Sequence, residues 1–395
     1  MSLFSDVELA PPDPILGVTE AFRADQSPDK VNLGVGVYQD EHGKTPLFGC
    51  VAEAEERLAA AAQPRGYLPQ TGLPAYLSLI QDLVFGAGNE DLKQRTATVQ
   101  SLSGTGALKL GADFLRQYVG QVVISDPSWE NHRALFTKAG LQVDAYRYYD
   151  WATGGLDFAG MTADLEAVAP GTVVVLHACC HNPTGVDPHP EQWADVAAII
   201  GTRGLIPFID MAYQGFADGL EQDAAVVRAF ASIGVPLFVG TSFSKNMGLY
   251  GERVGSLSVV TESPEAAARV TSQLKVLVRT NYSNPPTHGE AIVTEVLGDP
   301  RLRGSWEAEL TSMRERIKRL RAELQAALTA AGFPRDPSFI TAQTGMFSYT
   351  GLSPEQMQRL RSEYHVYGLN SGRICVAALN DRNLERVASA LTSVS

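Results

Sequence analysis

The sequence predicts an α/β fold: a doubly wound, mainly parallel sheet flanked by helices, with a second, smaller α/β domain. Three observations point there. Short apolar runs (TVQSL, QVVISD, VVVLHACC, LIPFIDM, PLFVGTS and GSLSVV) alternate with helical stretches from about Val51 onward, the pattern of a sheet crossed by helices. Polar or glycine-rich turns carrying Asn182, Asp210 and Lys245 close several of these runs, and open α/β sheets bind ligands at that end of their strands. At 395 residues the chain is also too long for one small core, so a large domain with a smaller companion is expected.

Taken in order, the first dozen residues, with Pro11, Pro12 and Pro14, read as an extended arm. Asp13 and Pro14 suit the N-cap and first position of a helix running from Ile15 to Ala24. VNLGVGVY (31–38) alternates small and apolar residues and reads as a strand bent at its glycines, closed by the turn DEHGKTP. Further on, Leu310, Met313, Ile317, Leu320, Leu324 and Leu328 recur at spacings of three and four. That is one long amphipathic helix, with arginines and glutamates expected on its other face. The last stretch, ending in NSGRICVAAL, mixes strand and helix signals. There is no internal repeat and no low-complexity segment.

Composition narrows the function. A net charge of −12 argues against nucleic acid or an anionic membrane surface as partner, since both require basic patches. No apolar run approaches membrane-spanning length, and the first residues lack the layout of a signal peptide. Cys50, Cys179, Cys180 and Cys375 lack metal-ligand spacing and read as core residues in a reducing compartment, with the cytoplasm as default. His177 and His181 are four apart, but on a strand and turn they are not expected to share a face, so no metal site is expected.

The stretch LFVGTSFSKNMGLYGERVGS (237–256) is where the chemistry concentrates. Leu237 to Val239 read as a buried strand, followed by Gly240 and a polar turn. Lys245, next after that turn, would lose proton affinity in a partly dry pocket beside Arg253 and become a usable nucleophile. A P-loop does not fit, because the glycine before the lysine and the hydroxyl after it are missing. After the strand Thr98 to Leu102, Ser103-Gly104-Thr105-Gly106 opens a helix whose free N–H groups favour phosphate, with the two hydroxyls as extra donors. A dinucleotide fingerprint is the rival there, with Asp126 in the place of its acidic residue. Lys109 stands in the place of the third glycine, however, and Asp126 runs straight into Pro127.

Ser-x-Ser-Lys followed by glycines and Arg253, together with DPSWENH (126–132), HACCHNPTG (177–185), FIDMAYQG (208–215) and NSGR (370–373), resembles the class I pyridoxal-phosphate aminotransferases. The likeness is to the aspartate and aromatic (tyrosine) branch, spans nearly the whole chain and keeps the family's order. It implies a type I fold with a large domain at about 46–312 and a small one from 1–45 and 313–395. Pyridoxal 5'-phosphate is the implied cofactor, on Lys245. Ser103, Gly104, Thr105, Ser242 and Arg253 would hold its phosphate, and Trp129 would cover the ring. Asn182 and Tyr213 would meet the phenolic oxygen. Asp210, which is costly to bury unpaired, would pair the ring nitrogen with His132 behind it. A cis Asp126–Pro127 bond is expected by the same likeness.

Arg373, with Gly36, Trp129 and Asn182, would hold the substrate; a guanidinium matches a carboxylate in a flat, two-pronged way. Tyr67, Arg279 and Ser283 resemble residues that reach into a neighbouring subunit's pocket, so a homodimer with shared sites is implied. The implied reaction is ping-pong amino transfer between aspartate or an aromatic amino acid and 2-oxoglutarate. Val37, Thr45, Thr105 and Asn284 look like the aspartate branch, whereas Trp129 to His132 and Ala107 to Lys109 look like the aromatic one. Gln39 and Gly66 fit neither. A strict aspartate enzyme is the alternative. Decarboxylation or β-elimination fits two carboxylate-gripping arginines poorly, and a dinucleotide-binding module would need a different fingerprint.

Overall fold

Seven strands build the central sheet: β1 (Thr96–Leu102), β2 (Gln121–Asp126), β3 (Gln142–Arg147), β4 (Val173–His177), β5 (Ile206–Met211), β6 (Leu237–Ser242) and β7 (Val254–Val260). They come from a computed structural model that describes residues 4–10 and 14–395. Asp13, expected as an N-cap, and Pro11 and Pro12 of the expected arm lie outside those residues. The first helix is Pro14–Ala24, and residues 4–10 are exposed and carry neither helix nor strand.

The spatial order is β1-β7-β6-β5-β4-β2-β3. Neighbours run parallel except at β7, which is antiparallel to both β1 and β6. Every residue of β4, β6 and β7 is buried, as strands covered on both faces must be. Hence their near-continuous apolar runs. β3 is absent from the sequence reading. QVDAYR is mostly exposed and sits at the sheet edge, where polar and charged residues discourage further pairing. It therefore shows no apolar run.

Register decides where the chemistry falls. His177 lies opposite Asp210, and Asp210 opposite Gly240, so the ends of β4, β5 and β6 are level. β6 runs on to Ser242, three residues beyond the expected end at Val239. Of the expected strand 31–38, only Val31–Asn32 forms one, parallel to Val366–Tyr367. Beyond it, Leu33 still bonds the backbone of Tyr367 and Cys375, and side chains then take up backbone groups: Arg373 donates to Gly34 O at 2.8 Å, and Tyr38 N donates to the Tyr250 hydroxyl at 3.0 Å. A second short pair joins Phe347–Tyr349 antiparallel to Arg373–Cys375.

The expected long helix is Pro300–Ala331, capped by Asp299, whose carboxylate accepts from the N–H groups of Arg301 and Leu302. All six leucine, methionine and isoleucine positions of the predicted stripe are buried. Arg321 departs from the expectation: it lies on the buried face with them rather than opposite. No helix among the described residues is long and apolar enough to cross a membrane.

Glu290 is a second buried charge, 2 % exposed at the start of the helix His288–Gly298. Thr294 Oγ1 donates to it at 3.2 Å. Burial pushes its carboxyl up to about 7. A raised folded-state pKa means that the stability is present below the ordinary carboxylate value and is lost as pH rises through 7. Glu290→Gln, which cannot ionise, is therefore expected to stabilise the protein at pH 8 by about 1–3 kcal/mol and to change little at pH 4.5. Thermal melts at the two pH values check this; an equal shift at both would show that ionisation is not the cause.

Candidate active site

The level ends of β4, β5 and β6 open on a cavity of about 200 Å³. Asp210, the last residue but one of β5, lines it and is 6 % exposed. Its Oδ2 lies 3.1 Å from His132 Nε2, and His132 Nδ1 is 2.9 Å from Ser128 Oγ. Its Oδ1 has no hydrogen-bond partner. Burial works against the charge, but the His132 hydrogen bond and the positive fields of His132 and Lys245 leave the carboxyl below its usual value. Asp210 is thus an ionised carboxylate with one oxygen to spare. Lys245 lies beyond the end of β6, its Nζ 5.1 Å from the centre of the Tyr213 ring. Burial lowers its pKa to about 8; Asp210 opposes that shift, while Arg253 and Arg373 add to it. Near neutrality a usable fraction of the amine is uncharged, the form that attacks a carbonyl.

One end of the cavity is built for an anion. The helix Ser103–Leu115 starts at its wall, and no side chain caps its free N–H groups. Ser103 Oγ lies 2.9 Å from both Ser242 Oγ and Ser244 Oγ. Gly104, Thr105 and Arg253 line the same end. Ser103 and Arg253 both hold left-handed backbone conformations, φ 62° and 56°, a strain that proteins store at functional sites. Gly255 permits the assembly: a Cβ there would lie 2.3 Å from Thr241 O and 2.8 Å from Ser103 C. Any larger residue would push the helix start off the sheet.

The other end carries Arg373, 1 % exposed. Its Nη1 donates to Asn182 Oδ1 at 3.0 Å and its Nη2 to Gly34 O at 2.8 Å, while Nε has no partner. The guanidinium lies over the Phe347 ring, 4.3 Å from its centre. Trp129 and Gly36 complete the lining.

Of the residues named from the sequence, Gly36, Ser103, Gly104, Thr105, Trp129, Asn182, Asp210, Tyr213, Ser242, Lys245, Arg253 and Arg373 all border this cavity. Tyr67, Arg279 and Ser283 do not border it. Tyr67 is 93 % exposed. Arg279 donates to Ser283 Oγ, and Asn284 Nδ2 donates to Leu68 O at 2.8 Å, so the two segments meet on the surface. Asp126–Pro127 is cis, as the resemblance implies; Asn182–Pro183 is cis as well.

The lining also includes His177, Ser244, Tyr250 and Phe347, to which the sequence reading gave no role. Ser244 and Tyr250 lie inside the stretch already singled out, whereas Phe347 carries no local signal. One expectation is corrected. His177 and His181 do meet, with ring centres 4.4 Å apart, because the chain turns back after β4 through Cys180 in a left-handed conformation. Burial and the neighbouring His132 push His177 down to about 3, so it is neutral. His132, His177 and Asp210 bring ligand atoms within 4.8 Å of one another. An ionised aspartate already bonded on one oxygen, beside a cavity with an anion cradle, suits a cationic ring nitrogen on a phosphorylated ligand.

The comparisons with known proteins agree with that chemistry. The family model for "Aminotransferase class I and II" matches residues 28–391. The chain belongs to that family. It is 54 % identical over its whole length to the whole of an aspartate aminotransferase from Pseudomonas aeruginosa. To the aromatic-amino-acid aminotransferase of Escherichia coli it is 50 % identical, over 99 % of this chain and all of that one. The crystal structure of an aromatic-amino-acid aminotransferase from Burkholderia pseudomallei, covalently bound to pyridoxal phosphate, superposes with a TM-score of 0.97 at 57 % identity over all of both chains.

The protein is a class I aminotransferase of the aspartate and aromatic branch, and its cofactor is pyridoxal phosphate. The cavity lining fits that group: a spare oxygen on a buried carboxylate, an uncapped helix start beside hydroxyls, and an amine of lowered pKa. When bound, the cofactor supplies an electron-withdrawing ring that accepts the negative charge formed at the substrate's α-carbon.

Proposed function

We propose that this aminotransferase moves an amino group between L-aspartate or an aromatic L-amino acid and 2-oxoglutarate, alternating donor and acceptor in one pocket. The observation that carries the reading is that Lys245, the half-paired Asp210 and Arg373, whose Nε has no partner, line one cavity. In this reading Lys245 Nζ holds the cofactor, and then takes the proton from the substrate's α-carbon and delivers it to the carbon that receives the amino group. Asp210 keeps the ring nitrogen protonated. Tyr213 and Asn182 meet the phenolic oxygen, and Trp129 covers the ring. Ser103, Gly104, Thr105, Ser242 and Arg253 hold the phosphate, while Arg373 with Gly36 and Asn182 grips the α-carboxylate.

The reading extends to a homodimer. Tyr67, Arg279 and Ser283 lie outside the cavity of their own chain and would complete the partner's site, Tyr67 at the phosphate and Arg279 at an acidic substrate side chain. A large domain of 46–312 and a small one of 1–45 and 313–395 would share the helix Pro300–Ala331, which crosses that boundary. A cytoplasmic setting is supported by four cysteines that are all free and buried.

Two substrate classes are favoured because relatives at 50 % identity or more carry both names. Steady-state rates with aspartate, tyrosine and phenylalanine against 2-oxoglutarate test this. Activity with all three is expected, and negligible rates with the aromatics would leave a strict aspartate enzyme. Arg279→Leu is expected to lower kcat/KM for aspartate by about 10²-fold or more, the cost of leaving a carboxylate without its partner, and to change phenylalanine less than tenfold. Equal losses on both would remove Arg279 from side-chain recognition.

A further inference from the structure

Arg321 sits in the middle of the helix Pro300–Ala331 at 3 % exposure. Arginines on the opposite face pair with carboxylates, as Arg319 does with Glu323 and Arg303 with Glu307. Arg321 instead donates to backbone carbonyls: Ile340 O and Gly345 O at 2.8 Å, Thr344 O at 3.1 Å, and Phe347 O. Burial lowers its pKa to about 10. Burying a guanidinium is costly, and a leucine would complete this apolar stripe without that cost. The charge therefore has work besides filling space.

The segment it gathers reaches the substrate end of the cavity by two routes. Phe347, its carbonyl held by Arg321, lies under the Arg373 guanidinium, and its strand pairs with that of Arg373. Thr344 makes the second route. Its N–H donates to Gly185 O and its Oγ1 to Asp187 Oδ2, both at 2.6 Å. Asp187 in turn accepts from Cys180 N at 2.7 Å and His181 N at 2.9 Å. A Cβ on Gly345 would lie 2.4 Å from Cys180 Cβ, so the turn that presents Asn182 rests directly on this segment. Asn182 and Phe347 are also, with the carbonyl of Gly34, the groups that hold Arg373.

We propose that Arg321 is a positioning residue for substrate binding: by gathering the carbonyls of residues 340–347, it sets Phe347 and the Asn182 turn, and through them the aim of the Arg373 guanidinium. The inference rests on the reading that Arg373 grips the α-carboxylate. A planar fork of five donors can serve several carbonyls around it, whereas an ammonium offers three donors in another geometry.

The test uses holoenzyme. Arg321→Lys is expected to raise KM for both amino donor and oxo-acid acceptor by about tenfold, as misplacement of a binding group does, with kcat within threefold and cofactor absorbance unchanged. Thr344→Val, which removes the Oγ1 ties to Asp187 and to Gly185 O but keeps the backbone N–H bond to Gly185 O, is expected to raise both KM values about threefold, and it decides the matter alone should Arg321→Lys not fold. Arg373→Lys, measured in parallel, separates the two levels. If it raises KM while the folded variants at 321 and 344 stay within twofold of wild type, the proposal is overturned even where their melting temperatures fall. If Arg373→Lys leaves KM unchanged, the reading of Arg373 falls first and takes this inference with it.

Discussion

Lys245→Ala is expected to abolish amino transfer, lowering kcat by about 10⁴-fold or more, because both covalent attachment and proton movement are lost with one nitrogen. The chain should stay folded. Lys245 is buried and its pKa is lowered by that burial, so its charge opposes folding rather than supports it. Its Nζ contacts the Tyr213 ring, and removing it opens space in a cavity that already exists. Turnover and borohydride trapping on purified variant and wild type make the measurement. Near-normal turnover, or a cofactor still trapped on the variant, would discard the mechanism.

Asp210→Asn should be the next largest effect, a loss of about 10²–10³-fold in kcat, the scale for removing an electrostatic partner aimed at developing charge. The substituted amide would keep the shape and an oxygen for the His132 contact, which spans 3.1 Å in the native site. It would remove the negative charge whose second oxygen has no protein partner. The ring nitrogen would then lose the group that keeps it protonated, while cofactor binding through the phosphate end persists. Kinetics on cofactor-saturated Asp210→Asn, with Asp210→Glu as the charge-preserving control, separate charge from packing. A loss below threefold for the asparagine variant would show that the carboxylate is not the source of the ring's electron demand.

What could be read from the sequence follows from where each feature gets its information. The turns after β5 and β6 write their chemistry in contiguous residues, so Asp210, Tyr213 and Lys245 were recognisable as a set, and all three border the cavity. The fully buried strands were also legible as strands, because both faces are covered and apolar residues dominate, although their ends were not: β6 carries on through Gly240 to Ser242. Edge strand β3 was not, since a strand with one neighbour needs few apolar residues. Phe347 reaches the site only because its strand pairs with that of Arg373, a fact held in long-range pairing. Arg321 looked like one more surface arginine on a polar face, and only the carbonyls of residues 340–347 explain its burial. The meeting of His177 and His181 turned on the backbone at Cys180, which four-residue spacing does not report.

The hydroxyls of Ser103 and Ser242 touch across 139 positions of chain, brought together by β7 lying antiparallel between β1 and β6. A polypeptide still emerging from the ribosome can complete β2 to β5 and yet have no phosphate cradle until position 260 is free to zip into place. Capture of the vitamin-derived cofactor thus waits for sheet closure.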